Sequence, residues 1–501
     1  MWKQPEGSKV TYHSDLSLIR WVLDRYDMWR SNLSCNRAMI RNAMVILANY
    51  ADMEEGYGLL GPQLAATIIR DSTGYDCPVV AVGHDFDKEL LKKNVVQLAG
   101  GDRPIVGFSS LGGRPELWHL AKELKAEGAV TIMGGPQADV DYMGEIGWED
   151  HPHRFPGVRD CFSFALQGPA EQLVPFVNSQ GKETPEKISG ALFTQDGRCR
   201  INERASWNGD FLRKVDWRNL YMPGPSGLEP VPVISAQVVQ QIGCPYAART
   251  ARVSIDYPTN LKGVPFNKKG QISLSLRGCS FCDVARDKGF SGKLSLDTVL
   301  EQITNLPENG DGRKIRFELI NEAPLVTLPE LLSATERQGI QISQVDLVSR
   351  ADWLVMGEEE LRGALKLAQD MNVRLLLSAV GFESFTNSIL RNLNKGYTVD
   401  TNLSAVRLMR QLKEEFPDNW FYATHEGASH GFIHPTPWDS AETEQEMAGV
   451  ILAYGLNRDI LPGSSIPLII HHACGLADWI RELETREGIM LPRRGSIIEW
   501  W

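Results

Sequence analysis

No stretch of this chain stays apolar for the roughly 18 residues that a membrane-spanning helix requires. The opening residues, Met1-Trp2-Lys3-Gln4-Pro5-Glu6-Gly7, lack the apolar core of a signal peptide. Cysteine is scarce: eight in 501 residues, at positions 35, 77, 161, 199, 244, 279, 282 and 474, too sparse for a disulfide framework. Basic charge is in deficit, 52 Lys and Arg against 63 Asp and Glu, and the net charge of −11 argues against the basic face of a dedicated nucleic-acid binder. Repeats and low-complexity tracts are missing too. These absences lead us to expect a cytoplasmic protein with no membrane span and no nucleic-acid partner. An apolar content of 43% and a charged content of 23% are those of an ordinary globular protein. The length allows roughly three domains, each with its own core.

Residues 43–180 alternate between short apolar runs and amphipathic stretches. Strands are expected at 43–48, 78–82, 104–108 and 130–133. Leu64, Ala65, Ile68 and Ile69 mark one helix, and Leu117, Leu120, Ala121 and Leu124 mark another. Strands apolar on both faces, with helices between them, describe a parallel sheet wrapped on both sides. The strand ends are rich in small residues: Ser109-Ser110-Leu111-Gly112-Gly113, Gly134-Gly135-Pro136-Gln137 and Gly168-Pro169. Such ends let a ligand approach the backbone closely. Periodicity fades from about 182 to 270, and residues 223–232, with four prolines and two glycines, read as an inter-domain connection. Alternation resumes with strands expected at 271–277, 315–320, 345–349, 373–379, 420–424 and 466–470, and with helices from Ser295 and over 402–413. Six such units suggest a full or partial parallel barrel, with 271–277 as its first strand.

The strand expected at 271–277 runs into Gly278-Cys279-Ser280-Phe281-Cys282. Two cysteines at that spacing can both reach one soft metal centre, zinc or an iron–sulfur cluster, or serve as redox or structural thiols. Such a centre needs further ligands. Glu383, after an apolar strand, either binds a ligand or caps the next helix. His425, His430 and His434 are expected to line the barrel mouth or to be satisfied by local hydrogen bonds.

Taken in order, Ser275-Leu276-Arg277-Gly278-Cys279-Ser280-Phe281-Cys282, Asn321-Glu322-Ala323-Pro324 and Val380-Gly381-Phe382-Glu383-Ser384, running on to Leu393-Asn394-Lys395-Gly396, resemble the radical S-adenosylmethionine (radical SAM) enzymes. Val106-Gly107-Phe108-Ser109-Ser110, Met133-Gly134-Gly135-Pro136-Gln137 and Gln167-Gly168-Pro169-Ala170-Glu171 resemble the cobalamin-binding domain often fused ahead of them. The resemblance spans most of residues 40–440 and implies an α/β chain in three parts. Residues 1–225 would hold a helical lead-in and a Rossmann-like cobalamin-binding domain. Residues 226–455 would form a partial (β/α)6 TIM-type radical SAM barrel, and 456–501 an extension closing it. It implies three cofactors: a 4Fe-4S cluster, S-adenosyl-L-methionine and cobalamin. Cys279 and Cys282 would be cluster ligands. Asn321, Glu322 and Pro324 would hold the methionine amino group, and Glu383 would contact ribose or methionine. Ser109, Ser110, Gly112, Gly134, Gly135, Gln137 and Gly168 would face cobalamin.

Two departures from the family pattern shape the rest. Three cysteines are usual, and here only two stand together. Cys244, in Ile242-Gly243-Cys244-Pro245-Tyr246, looks like the start of the motif displaced by an insertion, giving C-x34-C-x2-C. A loop of that length returns at modest entropic cost. Cys474 is a weaker candidate. The Asp-x-His-x-x-Gly loop that supplies histidine to cobalt is also missing, which implies a lower cobalt face without histidine, as in the methyltransferase members. The expected reaction is methylation of an unactivated carbon or phosphorus centre of a small-molecule or peptide substrate, with a reductant such as flavodoxin or ferredoxin. The alternatives are a radical rearrangement or cyclisation without methyl transfer, and a degenerate cofactor-binding member without radical chemistry.

Overall fold

The structure is a computed structural model, and we describe residues 44–50, 56–99, 103–109, 113–205, 209–224, 227–248, 250–282, 292–463 and 465–501. It contains two principal sheets of different construction. The first is nine-stranded. Its strands are β1 (Val45–Asn49), β2 (Val79–Val82), β3 (Ile105–Ser109), β4 (Val130–Gly134), β5 (Phe164–Leu166), β6 (Ala191–Gln195), β7 (Arg198–Ile201), β8 (Leu220–Gly224) and β9 (Gly227–Pro230), in the order β7-β6-β5-β4-β3-β1-β2-β8-β9. β1 pairs in parallel with both β2 and β3, so the parallel core reads 2-1-3-4-5 and its order reverses at the β1/β3 gap. Side chains alternate between two cores. Val45, Leu47, Val106, Phe108 and Met133 pack on one side with helices α2 (Lys88–Ala99) and α3 (Pro115–Ala126). Met44, Ile46, Ala48, Ile105 and Ile132 pack on the other, with α1 (Leu60–Thr73). Both faces are dry, as the continuous apolar strands require.

The second sheet has six strands, all parallel: β10 (Ser235–Val239), β13 (Arg316–Ile320), β14 (Gln344–Ser349), β15 (Arg374–Glu383) and β16 (Trp420–Phe421) in that spatial order, with β17 (Gly431–Phe432) on β15. Alternate residues Ala236, Val238, Phe317, Leu319, Val345, Leu347, Leu375 and Leu377 share one core with α5 (Leu296–Thr304), α6 (Leu328–Arg337), α7 (Glu358–Asp370) and α8 (Val399–Glu415). The opposite face carries Gln237, Glu318, Gln344 and Asp346, so helices cover one side only. A parallel sheet covered by helices on one face only is built like a barrel wall. α5 begins as expected, with Ser295 accepting from the Thr298 N–H at its N-cap.

Three expectations are corrected. Gln271–Arg277 (β12) is a strand, but not a barrel strand. It pairs antiparallel with β11 (Thr250–Asp256) in a separate ribbon, and the barrel begins at β10. Its residues alternate between exposed and buried, which suits a ribbon wet on one face better than a barrel wall. The stretch 223–232, expected as a connection, supplies β9 and the end of β8 on the edge of the first sheet. The last strand expected, at 466–470, is replaced by β18 (Ile470–His471) in a small antiparallel sheet with Ile497–Ile498. In the barrel its place falls to β17, which is too short for a periodicity to register.

The C-terminal segment joins these parts. Helix α9 (Gly475–Glu487) presents Leu476, Ala477, Trp479, Ile480 and Leu483 to Ile255, Ile272 and Leu276 of the ribbon. Its other side meets the first domain in a buried charge network. Glu145 accepts from Arg481 Nη1 at 3.1 Å and from Arg493 Nη2 at 2.8 Å, and Glu484 accepts from Arg493 Nη1 at 2.6 Å. Burial alone would push the Glu145 carboxyl up, but the hydrogen bond and charge of Arg493, the charge of Arg481 and the Phe155 N–H bring it down to about 2. A folded-state value below the unfolded one means a contribution present above about pH 4.5 and lost as pH falls toward 2. Glu145→Gln is therefore expected to cost about 3–5 kcal/mol at pH 7. Urea unfolding of variant and wild type should show that gap narrowing steadily below pH 4.5.

Candidate functional site

Cys244 lies just past the C-terminal end of β10, where the chain leaves the barrel. The β11–β12 ribbon then carries it out and back in register, from Thr250↔Arg277 to Asp256↔Gln271, and delivers Cys279 to the same mouth. The returning turn is held on three sides. Asn394 Nδ2 donates to the Gly278 carbonyl at 2.7 Å, the Ser280 N–H donates to the Leu393 carbonyl at 3.0 Å, and the Leu476 N–H at the start of α9 donates to the Ser280 carbonyl at 2.8 Å. Cys282 closes the turn with its N–H on the Cys279 carbonyl at 3.2 Å. Burial raises the Cys244 thiol, and the carboxylate of Glu322 and the charge of Cys279 raise it further, so the three groups share one electrostatic neighbourhood. The three sulfurs do not all converge within 4.8 Å. Cys474 is fully buried at the head of α9 among apolar side chains.

Cations line this mouth. Arg350, directly after β14, is buried with its guanidinium 3.9 Å from the Tyr246 ring centroid and 5.1 Å from that of Tyr397. Its Nη1 points at Cys279 Sγ at 3.6 Å, Nη2 donates to the Lys395 carbonyl at 2.5 Å, and Asp352 holds its fork at 3.0 and 3.1 Å. Lys395 Nζ donates to Glu383 Oε1 at 2.9 Å, both side chains being buried. Burial opposes the Lys395 charge, but Glu383 and Cys279 outweigh it and raise its pKa. The Cys279 thiol is raised by burial against the pull of Lys395 and Arg350. Glu383 sits in the left-handed region at φ 57°, with room for its carboxylate because Gly381 and Gly431 flank it. It pairs with Lys395, and the next helix, whose N-cap is Thr386, has no side-chain capping bond. At the end of β13, Asn321 Nδ2 donates to Gln240 Oε1 at 2.7 Å, and Thr327 Oγ1 donates to the same oxygen at 2.9 Å. Asn321 Oδ1 receives the Ala323 N–H at 2.9 Å, Pro324 leads into the next turn, and burial raises the Glu322 carboxyl. His430 is satisfied locally by the Val380 N–H and the Tyr422 carbonyl, and burial lowers it to about 4.

The first domain has a cavity of 520 Å³ at the C-terminal ends of β1, β3, β4 and β5, where the strand order reverses. Ser109, Gly134, Gly135 and Gly168 line it, together with Phe108, Glu171 and Gln237 of β10, so it reaches the barrel. Gly135 has φ 107°, a conformation other residues adopt only under strain, and a Cβ there would lie 3.2 Å from Ser109 Oγ. Gln137 stands one step away at the N-cap of helix α4 (Ala138–Met143), and Ser110 and Gly112 lie outside the described residues. No histidine lines the cavity among the described residues. Nor is any described helix long and apolar enough to cross a membrane.

Comparison with known proteins places this fold. No family model matches the sequence, and no curated protein matches it either. Among solved structures, the radical S-adenosylmethionine methyltransferase TsrM from Kitasatospora setae, with cobalamin and a 4Fe-4S cluster bound, is similar at TM-score 0.52 and 14% identity, over 88% of this chain and 75% of that one. The same enzyme with tryptophan substrate and the SAM analogue aza-SAM is similar at TM-score 0.51 and 15% identity, over 90% and 78%. The chain shares the mixed α/β fold of that enzyme.

Sequence reading missed Arg350 and the role of Lys395. The available signal for Arg350 was an arginine immediately after an apolar strand, at the end where sites are built. Lys395→Met strands a buried carboxylate and is expected to cost about 3–5 kcal/mol. Adding Glu383→Gln should recover much of that loss, which a double-mutant cycle in urea reads directly.

Proposed function

We propose that this chain is a cobalamin-dependent radical SAM enzyme whose 4Fe-4S cluster is held by Cys244, Cys279 and Cys282. The observation that carries the reading is the return of Cys279 by the ribbon to the neighbourhood of Cys244, at the mouth of a partial barrel. The insertion separates the motif in sequence and rejoins it in space. When bound, the cluster would supply the electron that cleaves S-adenosyl-L-methionine, and cobalamin would carry the methyl group.

The residues present suit those groups. Cys279 lies beside two buried cations, Lys395 and Arg350, which would offset the negative charge of thiolates and sulfides. Asn321 and Glu322 offer polar atoms at the second strand's end for the methionine amino group. Glu383, held by Lys395, offers a carboxylate at the fourth for ribose or methionine. In the first domain, Gly134 and Gly135 lack side chains where a corrinoid would press on the backbone. Among the described residues no histidine lines the cavity, in keeping with a lower cobalt face without imidazole. Gln237 of the first barrel strand belongs to both regions, which supports transfer between them. The finer reading is methylation of an unactivated carbon or phosphorus centre on a small-molecule or peptide substrate, with a flavodoxin or ferredoxin as reductant.

Anaerobic purification and reconstitution in the presence of cobalamin tests the reading by visible absorption. Cluster and corrinoid bands together are expected, and neither band would refute it. Replacing Cys244, Cys279 or Cys282 by Ala should remove most bound iron and sulfide; full loading of the Cys279→Ala/Cys282→Ala chain would overturn the ligand assignment. Arg350→Gln should retain the cluster and lower its midpoint potential by roughly tens of millivolts, because a cation beside a ligand sulfur favours the reduced state. Gly135→Val should cut corrinoid retention about tenfold or more with iron content unchanged. Spin resonance of the cobalt(II) form should show no splitting from a histidine nitrogen.

A further inference from the structure

The geometry points to a second metal centre, independent of the cluster: Asp141, His471 and His472 form a binding site for one divalent ion of the zinc class. Asp141 lies on α4 of the first domain, while His471 ends β18 of the C-terminal segment and His472 follows it directly. His471 Nε2 is 2.9 Å and His472 Nε2 3.0 Å from Asp141 Oδ1, and the three donor atoms lie within 4.8 Å of one another. All three residues are buried. Two ring nitrogens and a carboxylate are the donor set zinc takes in proteins.

Two further observations separate this from a plain hydrogen-bonded contact. Both imidazoles crowd Oδ1, while Oδ2, equally buried, has no hydrogen-bond partner among the described residues. A carboxylate bound through both oxygens would give the ion four protein donor atoms. The neighbouring carboxylates are also treated differently. Glu145 takes Arg481 and Arg493, and Glu484 takes Arg493, whereas no described Lys or Arg pairs with Asp141. A buried anion without a cation is costly, and a divalent ion supplies one.

The backbone already sets the site. The His472 N–H donates to the Ser496 carbonyl at 2.9 Å, and Arg481 Nη1 donates to the His472 carbonyl at 3.1 Å. The Phe155 ring stands 5.3 Å from that of His472 and walls off one side. Coordination through Nε2 places each ring proton on Nδ1. At His471 that displaces the long contact with the Ala473 N–H at 3.3 Å. The ion would tie the first domain to a segment more than 300 residues away in sequence, so its binding energy would add to the stability of the folded chain.

Cluster thiolates also take zinc, so the test uses the full chain carrying Cys279→Ala and Cys282→Ala, titrated with zinc alone. Plasma mass spectrometry after gel filtration should find about one zinc per chain, and zinc should raise the melting temperature. Adding Asp141→Asn or His472→Gln should reduce retained zinc about tenfold or more and abolish the zinc-dependent shift. Asp141→Asn is isosteric and keeps an acceptor for both rings, so it reports even if His472→Gln fails to fold. Zinc content near zero in the thiol-depleted chain, or zinc retained unchanged in Asp141→Asn, would overturn the assignment.

Discussion

The buried pair of Lys395 and Glu383, 2.9 Å apart, is the contact around which the barrel mouth is organised. An ammonium out of water needs a partner, and Glu383 adopts a left-handed backbone to provide it. Gly381 and Gly431 are bare so that the carboxylate fits between them. The carbonyl of Lys395 fixes Arg350, which in turn sets a cation beside Cys279. Residues 392–394, just before the lysine, hold the turn that carries Cys279 and Cys282. Gly396, at φ 76°, passes so close to Tyr246 that any Cβ there would strike its hydroxyl. One ion pair thus positions elements from four separate stretches of chain.

The two sheets divide the work by how they are covered. Helices on both faces of the first leave only its strand ends free, so its cavity forms at the order reversal. The second sheet is covered on one face, and its other face is lined by polar side chains that a closed core would not tolerate. β10 stands between them: Ser235 pairs with Tyr57, at the exit of the first sheet, and Gln237 reaches the cavity. Tyr57 itself stacks on Tyr50 at 4.3 Å, which braces that crossing.

What the sequence revealed depended on whether the physics was local. Strands β1 to β4 were legible because both their faces are buried, so apolar residues run continuously. In contrast β5, only three residues long, and β7 and β9, with wet faces, were not. β12 was legible as a strand, but its partner was not, since Ser273 and Ser275 record only that one face is wet. β10, with Ser235 and Gln237 turned inward, has a weak apolar signature and passed unnoticed. The small-residue ends at 134–135 and 168 and the turn at 321–324 were found because a motif spans few residues. Arg350 with Cys279, and Asp141 with His471 and His472, were out of reach: each is a meeting of distant segments that no spacing encodes.

The ribbon between Cys244 and Cys279 also has a bearing on how such chains diverge. Its two arms pair without a bulge from Thr250↔Arg277 to Asp256↔Gln271. Residues added or removed one per arm, at the far end, change its reach and leave its base where it was. Its length is thus free to drift in steps of two, whereas a single-residue change would turn one arm's side chains to the opposite face. Single-residue changes are left to residues 257–270, which join the arms outside this ladder, so the gap ahead of the cysteine pair can take any length there without moving the pair.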